Sequence, residues 1–553
     1  MTGLTSLPRE LMQEIISDLP HSALVSLAKT CKSLHFHVQP TLYKSIDWEF
    51  SDELTDELDN APIHVFFRTL WEYPHLAAHV RFVHFRGNEE RQYYQKLIAV
   101  PPSADEVGIW LKGIEELDMS NLELHRNLEH DLRAGNLDAL ATVLVSRLHN
   151  LEILRLDLGV ISHFGYLAWL FQHAAQCEPS SSATSTPVYR GSRFQKLKKI
   201  IFRNDLDCNL FRRLDPTEQT VASLRYLPSL EFIETVLVER RDDPLLKLEV
   251  DSNSSNRSLP NVRELRLLNC GASTSTVEWM LSCMPNLRSL EYFYAQNMEA
   301  LKYDYRNYKL VYRDEWQHFR DTLQVVSSTL TDLTISVDWF HIDDYPPENM
   351  DEAWIDGVWE RKGSMGSLKL LTRLERLEVP LIALLGWTPG RRPNNSKLND
   401  VLPRSLRELC LRDDLVGGPG YQWTLDRFQK GCDPSPVLNL LRAYLSPCFT
   451  PASAAAPTPG SDHGPLLLEA LCLKMQPRRH WPPAALSRLS RICWDADVKC
   501  TVRERQAWDS DSVREVTLCD RSGTLGEVSW EAAITEFKHR LIQEPSRIFE
   551  SNA

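Results

Sequence analysis

The chain has 553 residues, 43% of them hydrophobic and 25% charged, a balance that excludes a disordered or fibrous protein. That length exceeds what one hydrophobic core serves, so several domains or an elongated repeat array are expected. With 62 Lys plus Arg against 75 Asp plus Glu, the net charge is −13 and the pI about 5.8, which opposes nonspecific attraction to phosphate backbones or anionic lipid; neither nucleic acid nor a membrane is an expected partner.

The twelve cysteines are scattered without a CxxC pair, so reduced and mostly buried thiols are expected rather than a zinc framework or a disulfide scaffold. The opening MTGLTSLPRE has no basic stretch followed by an apolar one. The strongest apolar run, Val379 to Trp387, is too short to span a bilayer. A cytoplasmic or nuclear location is the expectation, and the N-x-S sequons at Asn253, Asn256 and Asn394 are then accidental. The acidic segments Glu49 to Asp59 and His341 to Asp356 read as solvated loops.

In chain order, Pro8 suits the first turn of a helix because the N–H it lacks has no partner there. The pattern predicts a helix from about Pro8 to Asp18, with Leu11, Met12, Ile15, Ile16 and Leu19 at helical spacing on an apolar arc wider than one seam, stopped by Pro20. Ser22 is placed to cap a second helix, ALVSLAKT, apolar on two faces. A third short helix around Ser33 to Gln39 is expected to end at Pro40, followed by an extended segment with Leu42, Tyr43 and Ile46. Nearly half of Leu7 to Ile46 is apolar, yet a unit this small stabilises itself poorly without metal, disulfide or partner. One apolar face packing inward and another meeting a second protein would resolve this; so would a role as a cap on the following domain.

The order LPRELMQEIISDLPHSALVSLAKTCKSLHFHVQPTLYKSI resembles an F-box, particularly its fungal form: Leu-Pro, a carboxylate, Leu, two Ile, Leu-Pro, a Leu-rich second helix, TCK, and a closing P-x-LY. The resemblance implies docking on the Skp adaptor of cullin–RING ubiquitin ligases. It implies that Leu7, Pro8, Leu11, Ile15, Leu19, Leu24 and Leu27 form or support the adaptor-binding surface. The corresponding domain is taken as residues 1–48 and the remainder, 49–546, as one target-recognition region.

Through that remainder runs the template apolar-x-x-apolar-x-apolar. It begins at Val80, Ile114 (IEELDM), Leu151 (LEILRL), Leu197, Val262, Leu330, Leu374, Leu406 and Leu468, with looser copies at Leu230 and Leu287. Such self-similarity is that of a leucine-rich repeat, in which the last two apolar positions point from a strand into the core and the polar position between them faces the concave side. Amphipathic helices are predicted before several copies: Leu137, Leu140, Leu144 and Leu148; Val277, Met280, Leu281 and Met284; Phe319, Leu323 and Val326. The spacing is wider than the ~20–29 residues usual for such repeats. Pro/Ser/Gly-rich loops near 178–193, 388–397 and 447–465 take up part of the excess. Ser529 is placed to cap a terminal helix with Trp530, Ala533, Ile534, Phe537 and Leu541 on one stripe. The expected fold is therefore α/β: a small all-α F-box followed by an irregular leucine-rich-repeat-like solenoid.

No HExxH, GxSxG, P-loop or Rossmann fingerprint occurs, so no catalytic residue, metal or cofactor is assigned and no enzyme is expected. His341, Asp343 and Asp344 read as loop residues beside Pro346, and Cys493 and Cys500 as core thiols. Tyr292, Phe293, Tyr294, Trp339, Phe340 and Trp387 follow repeat strands, where they could together line a concave recognition surface or loops above it, although core packing is the better expectation for each one singly. The expected function is a substrate-recognition subunit of a Skp–cullin–F-box ligase, with an unknown protein target. The rival is an interaction scaffold that uses the F-box or the repeats without directing ubiquitination.

Overall fold

The computed structural model describes residues 7–50, 63–87, 104–115, 117, 122–157, 165–176, 194–203, 223–236, 258–270, 274–297, 315–340, 364–386, 397–412, 434–446, 467–475, 483–505 and 513–519. Outside them fall the three loops apart from Lys397, the acidic segments after Phe50 and at 341–356, Trp387, the three sequons and the helix expected after Ser529. The chain divides into two compact units, one of Met1–Leu268 with Cys283–Pro285 and the other of Asn269–Ser282 with Asn286–Ala553.

The first unit begins with three helices, α1 (Arg9–Ser17), α2 (His21–Ala28) and α3 (Lys32–Leu42). Pro8 is the N-cap of α1 with extended backbone, and its carbonyl accepts from Met12 N at 3.0 Å. Pro20, not Ser22, caps α2: its carbonyl takes the N–H groups of Ala23 and Leu24 at 2.9 and 3.0 Å, so the helix starts at His21. Nor does α3 stop at Pro40, which lies inside it. A proline costs its helix one N–H bond and a clash, but here only the last turn follows, closed by Tyr43 N to Gln39 O at 3.0 Å.

Strand β1 (Ser45–Phe50) follows at once, so the boundary expected after residue 48 falls inside a strand. It pairs in parallel with β2 (Phe82–Gly87), and β3 (Ile153–Asp157), β4 (Lys199–Arg203), β5 (Phe232–Val236) and β6 (Glu264–Cys270) add in sequence order, all parallel. Between them lie α4 (Ile63–Glu72), α5 (Pro74–Ala77), α6 (Ala104–Glu115), α7 (Leu122–Arg133), α8 (Leu137–Val145) and α9 (Gly165–Gln176).

The template explains the strands. Each copy except one starts two residues before a strand, and in LEILRL the apolar residues Leu151, Leu154 and Leu156 are all fully buried. Leu151 N donates to Leu148 O at 3.2 Å, closing the turn, and Glu152 N to Arg81 O at 2.8 Å starts the ladder to the strand before. Lys198 N to Glu152 O and Glu231 N to Lys198 O, both 2.8 Å, repeat the arrangement. Helix α8 is buried along its whole length. The side chain of Asn136 accepts from Asp138 N at 2.9 Å at its N-terminus, after Gly135 at φ 72°, a backbone that favours glycine. The exception is IEELDM. Ile114 belongs to the last turn of α6, one helical turn after fully buried Trp110, and β2 pairs directly with β3. Apolar residues three apart satisfy helix and template alike, and the helix wins.

In the second unit β7 (Ser289–Asn297), β8 (Asp332–Phe340), β9 (Arg376–Pro380), β10 (Glu408–Arg412), β11 (Ala470–Met475) and β12 (Lys499–Arg505) are again parallel and in sequence order. Strand β13 (Val513–Cys519) pairs antiparallel with β12. The helix Thr274–Ser282 buries Val277, Met280 and Leu281 as expected, and the helix Glu315–Thr322 buries Phe319. Tyr292 and Tyr294 are core residues: Tyr292 stacks on Phe319 at 4.4 Å and Tyr294 meets Trp316 edge-on at 5.7 Å. Phe293 points to the opposite face, and the side chains of Trp339 and Phe340 lie outside the described residues. Cys270, Cys283, Cys410, Cys472, Cys493 and Cys500 are buried thiols, and Cys31 is exposed.

Candidate functional site

Helix α1 carries two apolar stripes, each made of residues four apart. Met12 and Ile16 are 2% and 0% exposed and form a core with Leu24, Leu34 and Val38. Leu11 and Ile15, displaced by ~100° around the helix, stand 49% and 41% exposed. Scattered apolar residues on a surface are ordinary, but an aligned Leu–Ile pair on a unit with a core this small is an outlay that internal packing does not explain. The flanking Glu10 and Glu14 are exposed, so the stripe has a polar border.

The other residues assigned to this surface divide by burial. Leu7 is partly buried and Pro8 exposed, at the helix entry. Leu19 and Leu27 are partly buried and pack against the core, and Leu24 lies within it at 5% exposure. These last three support the surface by holding α1 and α2 together; the side chains that offer apolar area outward are Leu11 and Ile15. Phe36, which the sequence reading did not single out, is 68% exposed on α3. Its signal was in the spacing: Leu34 and Val38 are four apart and face the core, and Phe36 sits ~200° from Leu34, on the far side of the helix.

The helical unit is tied to the sheet by aromatic contacts. Tyr43 stacks on Phe66 of α4 with ring centroids 6.0 Å apart, and Trp48 of β1 lies 5.2 Å from Phe66 and 5.8 Å from Phe85. The surface of α1 is thereby carried on a fixed base.

In each unit, the strand residues between the two buried template positions form a register row on the opposite face. In the first unit the row runs Asp47, His84, Arg155, Ile201, Glu234 and Arg266. His84 is held by Asp47 at 3.0 Å through Nδ1 and Asp157 at 3.4 Å through Nε2, while Arg86 bonds Asp47 and Glu49 at 2.9 and 3.2 Å. Arg203 donates to buried Glu234 at 3.0 Å. In the second unit the row runs Glu291, Thr334, Glu378, Cys410, Cys472 and Thr501. Glu378 pairs with Arg412 and, at 2.9 Å, with Lys474. Burial works to raise its carboxyl, yet these two cations outweigh that and hold it below the ordinary glutamate range.

Among the described residues no group of three His, Cys, Asp or Glu could hold a metal ion, and no helix is long and apolar enough to cross a membrane. No curated protein matches the chain. The F-box-like family model matches residues 4–47, the span of α1 to α3 and the start of β1. F-box domains generally bind Skp-type adaptors. The three N-terminal helices with their outward Leu11–Ile15 stripe are therefore an F-box-like domain.

Proposed function

We propose that this chain is a substrate-recognition subunit of a Skp–cullin–F-box ubiquitin ligase, with an F-box of the fungal form. The observation that carries the reading is the exposed Leu11–Ile15 stripe on a helix whose neighbouring stripe, Met12–Ile16, already closes the core. Docking a Skp-type adaptor there would remove that apolar area from water and bring the cullin–RING enzyme to the chain.

The rest of the chain is a degenerate leucine-rich-repeat-like solenoid whose polar rows face the target. The sequential parallel strands within each unit, each introduced by the same template, support this reading. In this account the protein contributes geometry, not chemistry: it holds a target lysine near the charged E2 and makes the transfer effectively intramolecular. The site of action is the cytoplasm or nucleus.

The test is affinity capture of the full chain from cells with cullin ligases blocked, comparing wild type with Leu11→Asp/Ile15→Asp. Proteins held by both forms, but ubiquitinated only with the wild type, are the predicted targets. If captured proteins keep the same ubiquitination and abundance with either form, the chain is a scaffold and the reading is wrong.

A further inference from the structure

The sheet of the second unit places two cysteines side by side in the middle of its polar row. Cys410 of β10 and Cys472 of β11 are direct Cα partners, both pointing away from the core leucines Leu409, Leu411, Leu471 and Leu473. Neighbouring strands lie about 4.8 Å apart, inside the ~4.4–6.8 Å Cα separation a disulfide tolerates. The two thiols are hydrogen-bonded to each other, and they are 8% and 9% exposed.

We propose that Cys410 and Cys472 are a peroxide-responsive dithiol, oxidised reversibly to a disulfide that links β10 to β11. Three features distinguish the pair from two core thiols that happen to meet. The first is direction: they lie on the face opposite the buried leucines. The second is polar company: Thr501 is the next residue of the row and hydrogen-bonds Cys472, with Arg503 two residues further along β12. The third is asymmetry. The bond from Cys410 chiefly, with help from Thr501 and Arg503, overcomes burial and brings the Cys472 thiol down to about 7, while the same bond and burial push Cys410 up. The attacking sulfur is therefore assigned to Cys472 and the resolving one to Cys410.

The chemistry balances. The Cys472 thiolate attacks one oxygen of hydrogen peroxide; an S–O bond forms, the O–O bond breaks, and the departing hydroxide takes up a proton to become water. Cys410 then loses its proton and attacks the sulfenic sulfur; the S–S bond forms, the S–O bond breaks, and a second water leaves. Two thiols and one peroxide give one disulfide and two waters, and the two electrons lost by sulfur reduce the peroxide. A dithiol reductant restores the pair by exchange.

The experiment uses the reduced full-length chain, exposed to hydrogen peroxide near stoichiometry, then unfolded, alkylated and digested without reductant for mass spectrometry. The expected result is joint loss of the Cys410 and Cys472 thiols, a peptide pair linked through those residues, and recovery of both thiols with dithiothreitol. In Cys410→Ser the oxidation should stop at a dimedone-reactive sulfenic acid on Cys472. The proposal is overturned if both residues stay alkylatable while other thiols are consumed, or if Cys472 in the wild-type chain proceeds to sulfinic acid or joins another cysteine. Because the wild-type chain alone decides between these results, a variant that fails to fold does not rescue the proposal.

Discussion

Replacing Leu11 and Ile15 together by Asp should separate docking from folding. The two side chains are 49% and 41% exposed, so roughly half of each remains for a partner to bury. Full burial of a Leu or Ile stabilises by about 1.5–3 kcal/mol, which leaves about 1 kcal/mol for each and about 2 kcal/mol for the pair. A carboxylate forced into the same apolar contact adds at least ~1 kcal/mol of desolvation. The expected loss of adaptor affinity is therefore at least ~3 kcal/mol, or ~100-fold. The folded chain loses much less. Neither residue belongs to the core of Met12, Ile16, Leu24, Leu34 and Val38, and the lower helix propensity of Asp with its charge near the C-terminal turn costs ~1 kcal/mol. Isothermal titration of a purified Skp-type adaptor with wild-type and variant full-length chains, each checked by circular dichroism, reads the difference. Unchanged affinity in a folded variant would refute the assignment of this stripe to docking.

Three further outcomes follow from the packing and charge. Ile16→Ala, at a position with no exposure, should destabilise the helical unit by about 2–5 kcal/mol, seen as faster amide exchange in α1 to α3. Asn136→Ala removes the side-chain cap of α8 and should cost about 1 kcal/mol in denaturant melts, with Asn136→Ser restoring most of it. Glu378→Gln should destabilise the second unit at neutral pH by about 1–3 kcal/mol, since Arg412 and Lys474 lose their carboxylate. A folded pKa below the unfolded one means this contribution is present above the unfolded value of about 4.3 and fades as pH falls through the folded value. Wild type and variant should therefore converge in acid; a constant gap down to the acid transition would show that the ion pairs are not its source.

How much of this was legible in the sequence depends on which residues carried the signal. The template located β2 to β11 because its apolar positions are the ones the fold buries, as Leu197, Ile200 and Phe202 illustrate. It missed β12, where Asp497 replaces the first apolar residue in a left-handed turn at φ 55° and Cys500 stands at the second. It missed β1 as a repeat strand, since Tyr43 opens that copy before Ile46 and Trp48, and its edge runs straight out of α3. It overreached at Ile114, where helix and template share a spacing. In the F-box-like domain the residue types were readable, but the orientation was not: Leu11 and Met12 are equally apolar, and only the packing of α1 on Leu24, Leu34 and Val38 decides which stripe turns outward. The Cys410–Cys472 pair was not legible, because the two cysteines stand 62 positions apart in the chain, on strands that only the sheet makes neighbours.

In the proposed function the N-terminal helices meet the adaptor while the strands of the second unit stay available to a target. Amide hydrogen exchange of the full chain, with and without a saturating Skp-type adaptor, measures both at once. Protection should rise in α1 and α2, around Arg9–Ser17 and His21–Ala28, and remain unchanged in β7 to β12. Adaptor-induced protection on those strands, or none in the helices under saturation, would contradict it.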